Sequence, residues 1–293
     1  HEWISGMIFK FLGHRSVLLG QVVTIVALIS VACGQGDDIS TVSPPTPVHA
    51  GACFTAGEQK LRIDWQWQLA EEPVDLGIDA DLYDIDLFEN SAAVIAALHA
   101  RQRKVICYVS VGSWEEWRPD AGGFPAEVIG KDYGGWPGEK WLDIRRIDLL
   151  APLMRARLDE CKAKGFDGVE PDNIDGYTND TGFSLTYQDQ LKYNIWLAKE
   201  AHARGLSIGL KNNSDQVAEL LPNFDWALTE DCFAEGWCDQ LLPFIDAGKP
   251  VFAAEYTDTG MTLDAFCAEA NSMRINAVLK HRELGVYRET CQD

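Results

Sequence analysis

Short apolar runs alternate with longer stretches of helical period from about residue 61 to the end of the chain. Eight runs, 61–67, 81–87, 105–111, 168–172, 207–212, 226–230, 251–256 and 276–280, are rich in Val, Ile, Leu, Tyr and Trp and have the length of strands. Between them the spacing of apolar residues predicts helices over 92–100, 149–164, 187–203, 215–221 and 263–273, and Gly165, Gly205 and Gly248 stand where helix C-caps want glycine. Alternating strand and helix implies a parallel sheet, and eight strands imply a closed (β/α)8 TIM barrel, an α/β fold, rather than an open doubly wound sheet. Neither a Gly-x-Gly-x-x-Gly nor a Walker loop occurs, which weighs against a nucleotide site.

The amino-terminal pattern is different. From Met7 the chain passes Lys10, His14 and Arg15 into an apolar stretch over 17–32, a short positive segment followed by a hydrophobic one, as in an export signal. At about 17 residues the stretch is barely long enough to span a bilayer. It ends in Ile29-Ser30-Val31-Ala32-Cys33-Gly34, which resembles a bacterial lipobox and makes Cys33 a candidate for lipidation. Residues 34–52, rich in Gly, Ser, Thr, Pro and Asp, have no hydrophobic period and are expected to be a flexible linker. The expected organisation is a signal region at 1–33, a linker at 34–52 and one barrel domain at 53–293, exported and either released by ordinary signal-peptidase cleavage or held at a membrane through a lipid anchor only.

Composition adds two constraints. Of 293 residues, 46% are hydrophobic and 24% charged, the proportions of a globular protein rather than of a disordered or multi-span membrane chain. Asp and Glu number 45 against 25 Lys and Arg, and a net charge of -20 repels nucleic acid and favours a cationic partner. Among the eight cysteines, Cys232 and Cys238 are close enough for a loop disulfide, and Cys53 and Cys291 are expected to clasp the ends of the barrel. Cys107 and Cys161 read as buried thiols, and Cys267 has no assigned partner. No His pair has ligand spacing, so neither a metal nor another cofactor is expected.

Chemistry in such a barrel gathers at the carboxyl ends of the strands, and those ends are acidic here: Asp84 and Asp86, Glu170 and Asp172, Glu230 and Asp231, Glu255. Side chains alternate along a strand, so Glu170 and Asp172 face one way, and Asp172 and Glu230 can meet across a cleft. Two facing carboxyl groups are what glycoside hydrolysis requires, one to attack or stabilise an oxocarbenium ion and one to protonate the leaving oxygen. Asp172, beside Asn173 and Lys211, is expected to stay ionised as nucleophile; Glu230, approached through Trp226, Ala227 and Leu228, is expected to have a raised pKa and act as the acid. Trp65, Trp67, Trp114, Trp117, Trp136 and Trp141 are flat surfaces suited to sugar rings, although some are expected to pack the barrel instead.

Several segments resemble motifs of the endo-α-1,4-polygalactosaminidases, glycoside hydrolase family 114: Trp65-Gln66-Trp67-Gln68-Leu69, Tyr83-Asp84-Ile85-Asp86, Gly165-Phe166-Asp167-Gly168-Val169-Glu170-Pro171-Asp172-Asn173 and Gly209-Leu210-Lys211-Asn212, with Trp117-Arg118-Pro119-Asp120 and Gly135-Trp136-Pro137-Gly138-Glu139 between them. The resemblance implies a (β/α)8 fold, endo-hydrolysis of α-1,4-linked galactosamine polymers, and Asp172 and Glu230 as the catalytic pair. Thr229-Glu230-Asp231-Cys232 departs from the Asn-Glu-Gln-Cys of the family pattern, which changes the surroundings of the glutamate. A galactosamine-containing polysaccharide carries ammonium groups, a match for the negative chain. Asp86, Glu170, Asp175 and Glu255 are the candidates for reading them, with Trp65, Tyr108, Trp114, Asn173, Lys211 and Tyr256 completing the expected substrate contacts. The competing readings are a non-catalytic carbohydrate-binding barrel and a glycosidase for a neutral α-glycan.

Overall fold

A computed structural model describes residues 62–70 and 73–291. The export segment, Cys33, the linker and Cys53 lie outside the described residues. The eight barrel strands are β1 (Trp65–Gln68), β2 (Leu82–Asp86), β3 (Lys104–Ser110), β4 (Gly168–Asp172), β5 (Ser207–Lys211), β6 (Trp226–Glu230), β7 (Val251–Tyr256) and β8 (Asn276–Lys280). Each pairs in parallel with the next, from β1 through to β8. This is the expected barrel, with helices Ala92–His99, Ile147–Lys164, Tyr187–Ala203 and Leu263–Met273 packed outside it.

The two-residue period sorts each strand between two apolar clusters. Trp65, Trp67, Leu82, Ile106, Trp226, Leu228, Phe252, Ala254, Tyr256 and Val278 share one cluster. Tyr83, Ile85, Cys107, Val109, Val169, Ile208, Ala227 and Ala253 belong to the other, which also holds the helix residues. The first fills the barrel and the second lies under the helices. Asp84 and Asp86 therefore follow Leu82 inward, and Glu230 follows Leu228, whereas Glu255 falls between inward Ala254 and Tyr256 and turns outward. The large Trp226 ring fits because Gly209 faces it: a Cβ on Gly209 would lie 2.3 Å from the indole.

Three departures shape the site. Between β3 and the Ile147–Lys164 helix, the chain forms an antiparallel sheet of Ser113–Glu115, Glu139–Leu142 and Ile129–Asp132. No helix joins β1 to β2 among the described residues, and after β8 the strand Arg288–Thr290 turns back antiparallel. No described backbone ladder links β8 to β1; instead Asn276 and Lys280 bridge them, Asn276 accepting from Ile63 N through Oδ1 at 2.8 Å and from Trp65 Nε1 through its carbonyl at 2.9 Å, and Lys280 donating to Gln66 Oε1 at 3.3 Å.

The cysteines differ from expectation in two places. Cys232–Cys238 is the expected loop disulfide. Cys107 and Cys161 are not thiols but a disulfide that ties β3 to the Ile147–Lys164 helix. Cys291 is bonded to Cys267, not to Cys53, and so staples the last described residue to the Leu263–Met273 helix. Both follow from packing: Cys107 faces outward on β3 under a helix that presents Cys161, a proximity that chain spacing does not reveal.

Candidate active site

At the carboxyl ends of the strands a cleft of ≈ 960 Å³ opens, lined by residues of β1 to β6, the small sheet and the loop after β8. Its floor is organised by Lys211, the last residue of β5. The ammonium group is buried and donates to Glu170 Oε1 at 2.8 Å and Asp172 Oδ1 at 3.0 Å, lies 3.3 Å from Glu230 Oε2, and sits 4.8 Å above the Trp67 ring. Burial alone would disfavour the cation, but Asp172, Glu170 and Glu230 outweigh it and hold Lys211 charged.

Asp172 and Glu230 each gain further donors. The Asn173 N–H donates to Asp172 Oδ1 at 2.9 Å, and the Tyr108 hydroxyl to Oδ2 at 3.0 Å. Asn173 takes up φ 63, and its backbone crowds Gly112 so closely that a Cβ there would lie 1.6 Å from the Asn173 carbonyl oxygen. Glu230 accepts from Asn212 Nδ2 at 2.9 Å and from the Tyr256 hydroxyl, while its own N–H donates to Asn212 Oδ1. Burial pushes Glu230 up, but Lys211, Tyr256 and Asn212 together hold its carboxyl below the ordinary range. That reverses the expected upward shift, which considered only the apolar approach along β6. Tyr256 in turn lies under Arg282, whose guanidinium is 4.0 Å from the ring centroid and bonds Asp231 at 2.9 Å and Asp258 at 2.6 Å.

Other carboxyls in the site hold protons more tightly. Asp84 is fully buried beside Glu170; burial, then the Glu170 charge and a hydrogen bond to Glu170, push it well above its usual value. Burial raises Glu170 to about 7, with Lys211 opposing. Asp175, at the cleft, is pushed to about 6 by burial and by the Asp172 charge. Glu139 reaches about 7 through burial and Asp172, against hydrogen bonds from Ser113 and Asn173.

The expected substrate contacts divide. Tyr108, Asn173, Asp175 and Lys211 line the cleft with the Asp172 and Glu230 pair. Asp86 also lines it, but bonds Arg118 through both oxygens, at 3.0 and 2.6 Å, rather than facing solvent unpaired. Glu170 is wholly buried behind Lys211. Tyr256 is buried and acts on Glu230. Trp65 is packed inside the barrel against Phe252 at 5.2 Å, and Trp114 is half-buried with its indole N–H on the Ala121 carbonyl, so neither lines the cleft. Glu255 does not line it either: it accepts from the Phe233 and Ala234 N–H groups at 2.8 and 3.0 Å, securing the turn that carries Cys232. The parity of Phe252, Ala254 and Tyr256 was the signal that would have removed it. Glu139, Arg118, Arg282, Asn212 and Tyr133 line the cleft without having been singled out as site residues.

A barrel whose strand ends bring two hydrogen-bonded carboxylates together in an open, sugar-sized cleft belongs to the glycosidase class. The comparisons agree. The structure of Aspergillus fumigatus Ega3 in complex with galactosamine matches with a TM-score of 0.75 and 41% identity, over 78% of this chain and 95% of that one. The glycoside hydrolase domain of PelA from Pseudomonas aeruginosa matches in fold, with a TM-score of 0.61 and 16% identity, over 78% of this chain and 98% of that one. No curated protein matches the chain in sequence. The model of glycoside-hydrolase family GH114 matches residues 50–293, and the chain belongs to that family. It is a glycoside hydrolase.

Proposed function

We propose that the protein cleaves internal α-1,4 linkages of a galactosamine-rich polysaccharide, with Asp172 and Glu230 as the catalytic pair. The observation that carries this reading is electrostatic. The cleft is lined by eleven carboxylic side chains and only three basic ones, and each base is already bound by at least two carboxylates. Such a cleft attracts an ammonium-bearing polymer and gains nothing from a neutral one. The galactosamine complex of Ega3 supports the same sugar.

In the reaction, Asp172 attacks the anomeric carbon as the bond to the leaving oxygen breaks, and Glu230 protonates that oxygen. Glu230 then takes a proton from water as it displaces Asp172. Both carboxyl groups contact one ammonium nitrogen, and this closeness favours the retaining outcome, for which a gap of about 5–5.5 Å is typical. The depressed pKa of Glu230 favours a second assignment in which the two exchange roles, Glu230 attacking and Asp172 donating. Mass spectrometry of the peptide labelled by a slow, activated glycoside distinguishes them, since the label stays on the nucleophile.

The three described disulfides suit an oxidising compartment, in line with the export segment expected over 1–33. Fatty-acid labelling of wild type but not of Cys33→Ala would establish the anchor. The primary test of function is reducing-sugar release from galactosamine-rich, fully N-acetylated and neutral α-linked polymers. Preference for the first is expected; equal action on the neutral polymer would overturn the substrate assignment, and inertness toward all three would overturn the reaction.

A further inference from the structure

Among the described residues, two large apolar side chains stand at the surface, Trp117 at 49% and Trp136 at 53% exposure, and both line the cleft. Leaving two indoles in water is costly unless something covers them. Their backbone is firmly built. Trp117 follows the strand Ser113–Glu115 and Trp136 precedes Glu139–Leu142; these strands pair with Glu115 opposite Glu139, and the pairing continues as Glu116 N donates to the Gly138 carbonyl at 3.0 Å. The turn that carries Trp136 is closed by Tyr133 N to the Glu139 carbonyl at 2.8 Å and by Glu139 N to the Trp136 carbonyl at 3.2 Å. Gly138, at φ 88, lets the Glu116 side chain pack where a Cβ would stand 2.6 Å from its Oε1. Tyr133 in turn rests on Trp141 with centroids 4.6 Å apart. The exposed rings therefore rise from an ordered scaffold along one wall of the cleft.

Resting on the proposed polymeric substrate, we infer that Trp117 and Trp136 are stacking platforms for amino-sugar rings beyond the cleaved bond, extending the binding site along the polymer. An indole offers an apolar face to the C–H side of a pyranose and a negative quadrupole to its ammonium group. Glu89 and Glu115 on the same side of the cleft, with Arg118 held by Asp86 and Glu115, leave that wall acidic, so charge and shape select the same occupant. The platforms also explain why the small sheet is inserted after β3: it carries the rings and Glu139 together.

The test uses chain length. In Trp117→Ala and Trp136→Ala, KM for long galactosamine polymer is expected to rise about three- to tenfold with kcat changed less than about twofold, and the Phe replacements should recover most of the loss. Products of the double variant should become less uniform in length. In an Asp172→Asn background, oligogalactosamine should quench tryptophan fluorescence, and removing either ring should weaken the quench. The Phe variants keep the test valid should an alanine variant unfold. A wild type that cleaves the polymer with a KM indifferent to both rings would overturn the platforms alone. A wild type that binds the polymer through both rings but does not cleave it would overturn the proposed reaction and keep the platforms.

Discussion

Lys211 sets the chemistry of the residues around it, because one buried ammonium group is shared by Glu170, Asp172 and Glu230. With Glu230 held low, the protonated fraction of an acid at this position falls as pH rises through a value below the ordinary carboxylate range, so kcat/KM is expected to be highest in acid. Glu230→Gln should lower kcat by about 10²–10⁴-fold. Tyr256→Phe removes a donor that stabilises the ionised form, raising the Glu230 pKa, and the alkaline limb of the kcat/KM profile should move to higher pH. Movement of the acid limb instead would mean that Glu230 must be ionised to react and that the two roles are exchanged. The positions of Asp172 and Glu230 were legible in sequence, since each closes a strand whose parity is readable. Their electrostatics were not: the donors to Glu230 come from β5 and β7, and no run of residues along β6 announces them.

At the scale of elements, legibility followed regularity. Strands β4, β6, β7 and β8 fall where their apolar runs place them, because each run is bounded by glycine, polar residues or helix ends. The sheet after β3 was hidden because its strands are three or four residues long and lie among glycines, prolines and tryptophans that read as loop. The disulfide pairing was hidden for another reason, since contacts across a helix–strand layer have no sequence period. Cys107–Cys161 closes a loop with a separation of 54 residues, and a cross-link of this kind restricts the unfolded chain. Replacing both with alanine should cost about 2–4 kcal/mol, measured by denaturant unfolding, with smaller effect on KM than on stability. An unchanged midpoint would show that the bond adds nothing to the packing already present between β3 and the helix.

For the molecule as a whole, charge and cleft act together. A net charge of -20 with a cleft whose bases are all paired should draw a cationic polymer from a distance, and that attraction is screened over about 8 Å at physiological salt. The rate on galactosamine polymer below saturation should fall steadily as salt is raised to about 1 M, where the screening length is about 3 Å. A rate that ignores salt would leave the charge a matter of solubility. The barrel also has a weakest line. Seven strand-to-strand contacts between β1 and β8 are ladders, whereas the eighth is made of separate bonds, from Asn276 to Ile63 and Trp65, from Lys280 to Gln66, and from the segment after β8, where Leu284 accepts from Leu69 and Ala70, Val286 from Gln66, and Arg288 reaches the Trp65 carbonyl. The circle is thus a coil with a clasp, and thermal fluctuations should open it there before anywhere else. In deuterium exchange the amides of β1 should equilibrate well ahead of those of β4, and Asn276→Ala should widen that gap while leaving β4 protected. The residues that make the clasp lie at opposite ends of the described barrel, so a chain emerging from synthesis cannot fasten it until the segment from Asn276 to Arg288 has followed β7.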